Sequence, residues 1–138
     1  MTAIYTLSAY ETTARAFFEK LRQEQAGLLL DVRLKNTNQL CGFTKGKDLE
    51  YLVPALTGAV YVHDLRFAPD PGLLERYLKQ RCSWEEYKLL YQQQMQAQNI
   101  TALFQADYGA YASVCLLGTA TRKRRSHSEA LAQLLAGK

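Results

Sequence analysis

Short apolar runs alternate with amphipathic stretches along the whole chain. Ala3 to Leu7 is apolar and partly β-branched, which predicts a strand, and Ser8-x-x-Glu11 after it matches a capping box at a helix start. Ala14, Phe17, Phe18 and Leu21 recur at helical spacing, so one buried helix face is expected to about Gln25. Gly27 is the expected stop, followed by a buried strand over Leu28-Leu29-Leu30-Asp31-Val32. Lys35 to Lys47 is polar and predicts a loop anchored by Phe43, with a short helix from Lys47 to Ala55. Ala59 to His63 is the third predicted strand. Asp70-Pro71 is a helix start, because proline at the first helical position loses no useful hydrogen bond. Ser83-x-x-Glu86 is a second capping box, opening a helix with Tyr87, Leu90, Tyr91 and Gln94 on one side. Residues 99 to 111 fit a short helix without compelling one. Ala112 to Leu117 is the fourth strand, and Ser126-x-x-Glu129 caps a last helix made amphipathic by Leu131, Leu134 and Leu135.

The order is βαβαβααβα. Strands of nearly continuous apolar character, separated by helices, imply a sheet buried on both faces. The expected fold is a single three-layer α/β sandwich over residues 1–138, with a mostly parallel sheet of about four strands and helices on both faces. At 138 residues, 48% of them hydrophobic, the chain can bury one core without metal or disulfides. No apolar run approaches the roughly 20 residues of a membrane span, and the N-terminus lacks the pattern of a signal peptide. Three widely spaced cysteines read as reduced thiols, so the expected location is cytoplasmic. Two histidines make a structural zinc site improbable, and neither a cofactor nor a metal is expected.

The formal charge is +4, and Arg122-Lys123-Arg124-Arg125 could account for nearly all of it. In open α/β sheets ligands collect outside the carboxyl ends of the strands. Those ends carry Ser8, then Asp31 and Arg33, then His63 and Asp64, then Gly118 to Arg125. The fourth exit has the layout of an anion site, with backbone N–H groups, a capped helix start and guanidinium groups close together. A solvated basic loop whose Ser126 only caps the helix gives the same sequence. Asp31 and Arg33, two apart, fit either a ligand-orienting pair or a structural ion pair. His63 fits a hydrogen-bonded structural residue better than the alternative, a candidate base. His127 lies in a first helical turn, where the helix dipole disfavours its protonation. Cys115 invites comparison with phosphatase loops, but Arg122 lies one residue too far along and the cysteine sits inside a strand. Tyr87, Tyr91, Tyr108 and Tyr111 are either base-stacking surfaces or core residues with a wet hydroxyl.

Three of these segments resemble domain-of-unknown-function family 488 (DUF488). Tyr5-Thr6-Leu7-Ser8 resembles its opening strand and turn. Asp31-Val32-Arg33, with the polar loop to Phe43, resembles its most recognisable motif, and Tyr61-Val62-His63-Asp64-Leu65 resembles its third strand. The family pattern of Cys-x-Glu ending the last strand and Cys-His-Arg opening the last helix is degenerate here. Gly118 and Ala120 occupy the first pair and Ser126-His127-Ser128 the second, leaving only His127. The resemblance implies an α/β fold and a site at the strand exits, but no reaction.

Three readings follow. The first is a binding module for a phosphate-bearing small molecule or nucleic acid, oriented by Asp31 and Arg33 and contacted by Arg122, Lys123, Arg124 and Arg125. The second is an enzyme acting on a small anionic or nucleotide substrate through His127 or His63, with Arg33 as electrophile. The third is a catalytically degenerate interaction protein using the aromatic helix from Trp84 to Met95. No membrane partner is expected, and oligomeric state is not legible.

Overall fold

The computed structural model describes residues 2–37 and 42–137. Four strands form one parallel sheet: β1 (Ala3–Ser8), β2 (Leu28–Asp31), β3 (Val60–His63) and β4 (Ser113–Gly118), in the order β1-β4-β2-β3. Six helices join them: α1 (Ala14–Gln23), α2 (Gly46–Thr57), α3 (Pro71–Leu78), α4 (Trp84–Ala97), α5 (Ile100–Tyr108) and α6 (His127–Leu135). The two central strands, β2 and β4, are buried at every position, which is why they read as unbroken apolar runs.

The layers follow from the handedness of the connections. A strand–helix–parallel strand unit is right-handed, so the direction of travel decides which face the helix covers. The chain moves one way from β1 through β2 to β3, and α1 and α2 pack with Leu29, Cys115 and Leu117 on one face. It then reverses to insert β4, and the buried residues of α3, α4, α5 and α6 pack with Leu28, Leu30, Val114 and Leu116 on the other. The result is the three-layer sandwich with helices on both faces. The strand exits β1 and β2 lead to one face, while β3 and β4 lead to the other. Crevices are therefore expected between neighbouring exits.

Several boundaries differ from the pattern-based expectation. Ser8-x-x-Glu11 is not a capping box. Ser8 is the last residue of β1, Glu11 adopts a left-handed φ of 56°, and Thr13 caps α1 through the N–H of Ala16. The helix then ends before Gly27, where Gln25 takes the left-handed conformation (φ 52°). α2 is longer than expected and accommodates Pro54 in its last turns. Residues 99 to 111 do contain a helix, α5, so three helices rather than two separate β3 from β4. The other starts stand: Asp70, Ser83 and Ser126 each accept a first-turn N–H, and Ser126 with Glu129 completes a full capping box. Among the described residues, no helix is long and apolar enough to cross a membrane.

Candidate functional site

Sheet register sets Ser8 opposite Gly118, and Asp31 opposite both Leu117 and His63, so the four strand exits form one row. At the centre of that row lies a buried ion pair. Arg33 donates from Nε to Asp31 Oδ1 at 2.8 Å and from Nη2 to Oδ2 at 2.7 Å, while its backbone N–H also reaches Oδ1 at 3.2 Å. Tyr61 donates its hydroxyl to Oδ2 at 2.6 Å and accepts from Asn36 Nδ2 at 3.2 Å. Arg33 Nη2 also binds the Thr44 carbonyl at 2.8 Å, tying the segment after β2 to the entrance of α2. Asp31 and Arg33 are 0% and 1% exposed. Burial opposes the charge on Arg33, but the Asp31 carboxylate overcomes it and holds the guanidinium above its ordinary value. Burial first, and then the same carboxylate, keeps the Tyr61 hydroxyl protonated well above its usual range. The pair thus clamps two loops together, while Arg33 Nη1 is buried and finds no hydrogen-bond partner among the described residues.

Both histidines are bound to the segment that Arg33 anchors. His127 Nε2 lies 2.6 Å from the Val32 carbonyl, and His63 Nε2 lies 2.8 Å from the Arg33 carbonyl. A carbonyl only accepts, so in each ring Nε2 carries the proton. His127 is 3% exposed, with its ring edge against Tyr91. Burial pushes its imidazolium down to about 4, against weaker opposing effects of the Val32 carbonyl and the Asp31 charge. Sequence position suggested a depressed basicity from the helix dipole; desolvation is the main cause. Its Nδ1 is buried and finds no hydrogen-bond partner among the described residues. His63 is only half-buried. Together with Asn36, Thr37, Lys45, Gly46, Lys47, Glu50 and Tyr61 it lines a cleft of about 610 Å³ at the start of α2.

At the β4 exit the chain runs tightly under α6. A β-carbon on Gly118 would overlap the hydroxyls of Ser126 and Ser128, so glycine is needed here for close approach rather than for a special φ. Ser126 Oγ accepts from Thr119 N at 3.1 Å as well as from the first turn of α6. Ser8 binds the Ala120 carbonyl through its hydroxyl and accepts from Tyr10 N at 3.0 Å, so it braces this loop from β1.

The four basic residues then separate. Thr121 and Arg124 exchange two backbone hydrogen bonds at 2.8 and 3.2 Å, closing a tight turn with Arg122 and Lys123 at its tip. Glu11 accepts the Arg122 N–H at 2.7 Å and lies 3.9 Å from its guanidinium. Arg125 pairs with Glu129 at 3.5 Å and lies over the Trp84 ring, 5.7 Å from its centroid. Lys123 and Arg124 line a second cleft of about 680 Å³ with Tyr77, Gln80, Arg81, Cys82, Ser83 and Glu86.

The structure therefore gathers Asp31, Arg33, His63 and His127 into one packed network, and brings Lys123 and Arg124 to a different cleft with Arg81. Sequence pattern alone did not single out Tyr61 as a partner of Asp31, nor Thr44, Asn36 or Arg81. Tyr61 had a usable signal, since it lies two residues before His63 and so shares its side of β3. Arg81 had none, because it follows a turn whose path depends on tertiary packing. Tyr87, Tyr91 and Tyr108 are core residues; Tyr91 donates to the Phe67 carbonyl and Tyr108 to Asp64. Cys115 is buried in β4, and burial pushes its thiol far above the ordinary range.

Neither a search of curated proteins nor a search of solved structures returns a match to this chain. The model of a domain of unknown function, DUF488, matches residues 13–135. That span takes in β2, β3, β4 and all six helices, and with them both clefts and the Asp31–Arg33 network. The chain belongs to the DUF488 family.

Proposed function

We propose that the protein binds a phosphate-bearing ligand in the cleft between the α3–α4 turn and the β4–α6 loop. The observation that carries this reading is the convergence of Arg81, Lys123 and Arg124 on one cavity of about 680 Å³. Three cations from two separate segments, facing a single carboxylate at Glu86, favour an anion through summed attraction rather than one contact. The aromatic residues alongside are not a stacking platform. Tyr77 and Tyr87 are buried face to face at 4.1 Å, and Arg125 lies over Trp84. Recognition therefore falls on phosphate groups, with no base reading, and a nucleic acid would be held by its backbone. Asp31 and Arg33 support this site by holding the neighbouring exit, and do not touch the ligand.

Affinity for an oligonucleotide and for a mononucleotide, measured across a salt series, tests the reading. A backbone ligand gives a log–log salt slope that steepens with each phosphate neutralised. Replacing Arg81, Lys123 and Arg124 by Ala should abolish binding of either probe. Unchanged affinity in that variant would remove the proposal.

A second reading draws on the His63 cleft. His63, Lys45, Lys47 and the Tyr61 hydroxyl share a cavity of about 610 Å³. This fits an enzyme acting on a small anionic substrate with His63 as general acid or base. His127 would not serve there, because its ring is buried against Tyr91. A pH–rate profile with one ionisation lost in His63→Gln would support it.

A further inference from the structure

We infer that the His63 cleft takes a small anion carrying a hydroxyl beside its charge, of the 2-hydroxycarboxylate class. Lys45, Lys47, Tyr61 and His63 line one cavity of about 610 Å³, with Glu50 as the one carboxylate among the lining residues. Neither lysine is in a salt bridge among the described residues, so both ammonium groups are left to attract an anion. His63 sets a second requirement. Its Nε2 gives its proton to the Arg33 carbonyl at 2.8 Å, and a neutral imidazole has one donor and one acceptor. The remaining ring nitrogen, Nδ1, therefore accepts, and it has no partner among the described residues. The Tyr61 hydroxyl has no proton to offer a ligand, because it already donates to Asp31 Oδ2 at 2.6 Å.

A ligand in this cleft thus meets donors from the lysines and an acceptor from the histidine. A plain carboxylate brings acceptors alone, which suits Lys45 and Lys47 but leaves Nδ1 dehydrated and unpaired. A hydroxyl one carbon from the carboxylate supplies the missing proton. Leaving an acceptor unmade costs more than making the bond gains, so the hydroxyl is where such a site discriminates. The inference rests on the second reading above in placing an anion in this cleft. It adds which anion, and it does not require that a reaction follows.

Glycolate, methoxyacetate and acetate are titrated at low salt and pH 8 into the 15N-labelled full chain. The two ring nitrogens of His63 and the backbone amides of Lys45, Gly46 and Lys47 are followed. Methoxyacetate keeps the charge and the second oxygen of glycolate but has no hydroxyl proton to give. All three anions should shift the three amides. Only glycolate should move Nδ1, and it should bind about fivefold more tightly than methoxyacetate, as one net hydrogen bond allows. His63→Phe should hold all three anions alike, and Lys45→Ala with Lys47→Ala should weaken all three. The ring nitrogens are read in the unsubstituted protein, so the test does not depend on either variant folding. Equal affinities for glycolate and methoxyacetate, or an unmoved Nδ1, would overturn the inference while leaving an anion in the cleft. No amide shift at Lys45, Gly46 and Lys47 with any of the three would remove the second reading as well.

Discussion

Two groups of charges lie at the same edge of the sheet and do opposite things. Asp31 and Arg33 bond each other directly, every Asp31 oxygen is bonded, and two further segments are tied to them, the turn at Thr44 and β3 through Tyr61 and His63. Arg122 to Arg125 lie in an exposed turn, where two are held at their flanks by Glu11 and Glu129 and two border a cleft. A buried pair loses heavily if either partner goes, because the survivor is left charged in a poorly solvating place. An exposed charge costs little to remove, and what it loses is attraction for something outside the protein. Position, not residue type, separates a fastening from the proposed binding surface.

The largest effect should come from splitting the pair. Arg33→Ala or Asp31→Ala should each lower the unfolding free energy by about 3–5 kcal/mol in urea denaturation. Asp31→Leu with Arg33→Met should cost less than either single change, since no charge is stranded. A double variant as unstable as the sum of the singles would show that the pair contributes net stability beyond avoiding that penalty.

His127 should make folding sensitive to mild acid. Its folded value is held at about 4, against 6.5 for the ordinary imidazole. The unfolded chain therefore binds the proton more readily, and the stability present above pH 6.5 is lost as pH falls towards 4. The full loss from this one group is about 3 kcal/mol. Unfolding free energies between pH 7.5 and 4 should show that slope in the wild type and a flatter one in His127→Gln.

Gly118→Ala should cost about 1–3 kcal/mol by forcing Ser126 and Ser128 away from the strand. Thermal unfolding would read this loss, with partial recovery when Ser128 is also changed to Gly. Smallest in stability, within about 0.5 kcal/mol, should be Lys123→Ala and Arg124→Ala. These changes should act on ligand affinity instead, each reducing the salt slope by about one.

Much of the fold was written in local pattern. The central strands are apolar throughout because both faces are covered, and Asp70-Pro71, Ser83 and Ser126 each mark a helix start that stands. Ser8-x-x-Glu11 misled because the same residue types serve a turn. There Ser8 braces Ala120 and Glu11 holds Arg122, contacts more than a hundred residues away that no window along the chain contains. The site was legible as a row of strand exits but not as partnerships. Asp31 and Arg33 fit a ligand site or an ion pair equally well until burial is known. The four-residue basic run looked uniform until the turn at Thr121 to Arg124 gave its members different neighbours. Cys41, expected in the polar loop, lies outside the described residues.

The most direct measurement is an amide-shift titration of the isotopically labelled protein with a short oligonucleotide at low salt. The account predicts shifts centred on Arg81 to Ser83 and Thr121 to Arg124, with Asp31, Val32 and Arg33 unmoved. Shifts centred instead on Lys45, Lys47 and His63, or on the Asp31–Arg33 segment, would contradict it.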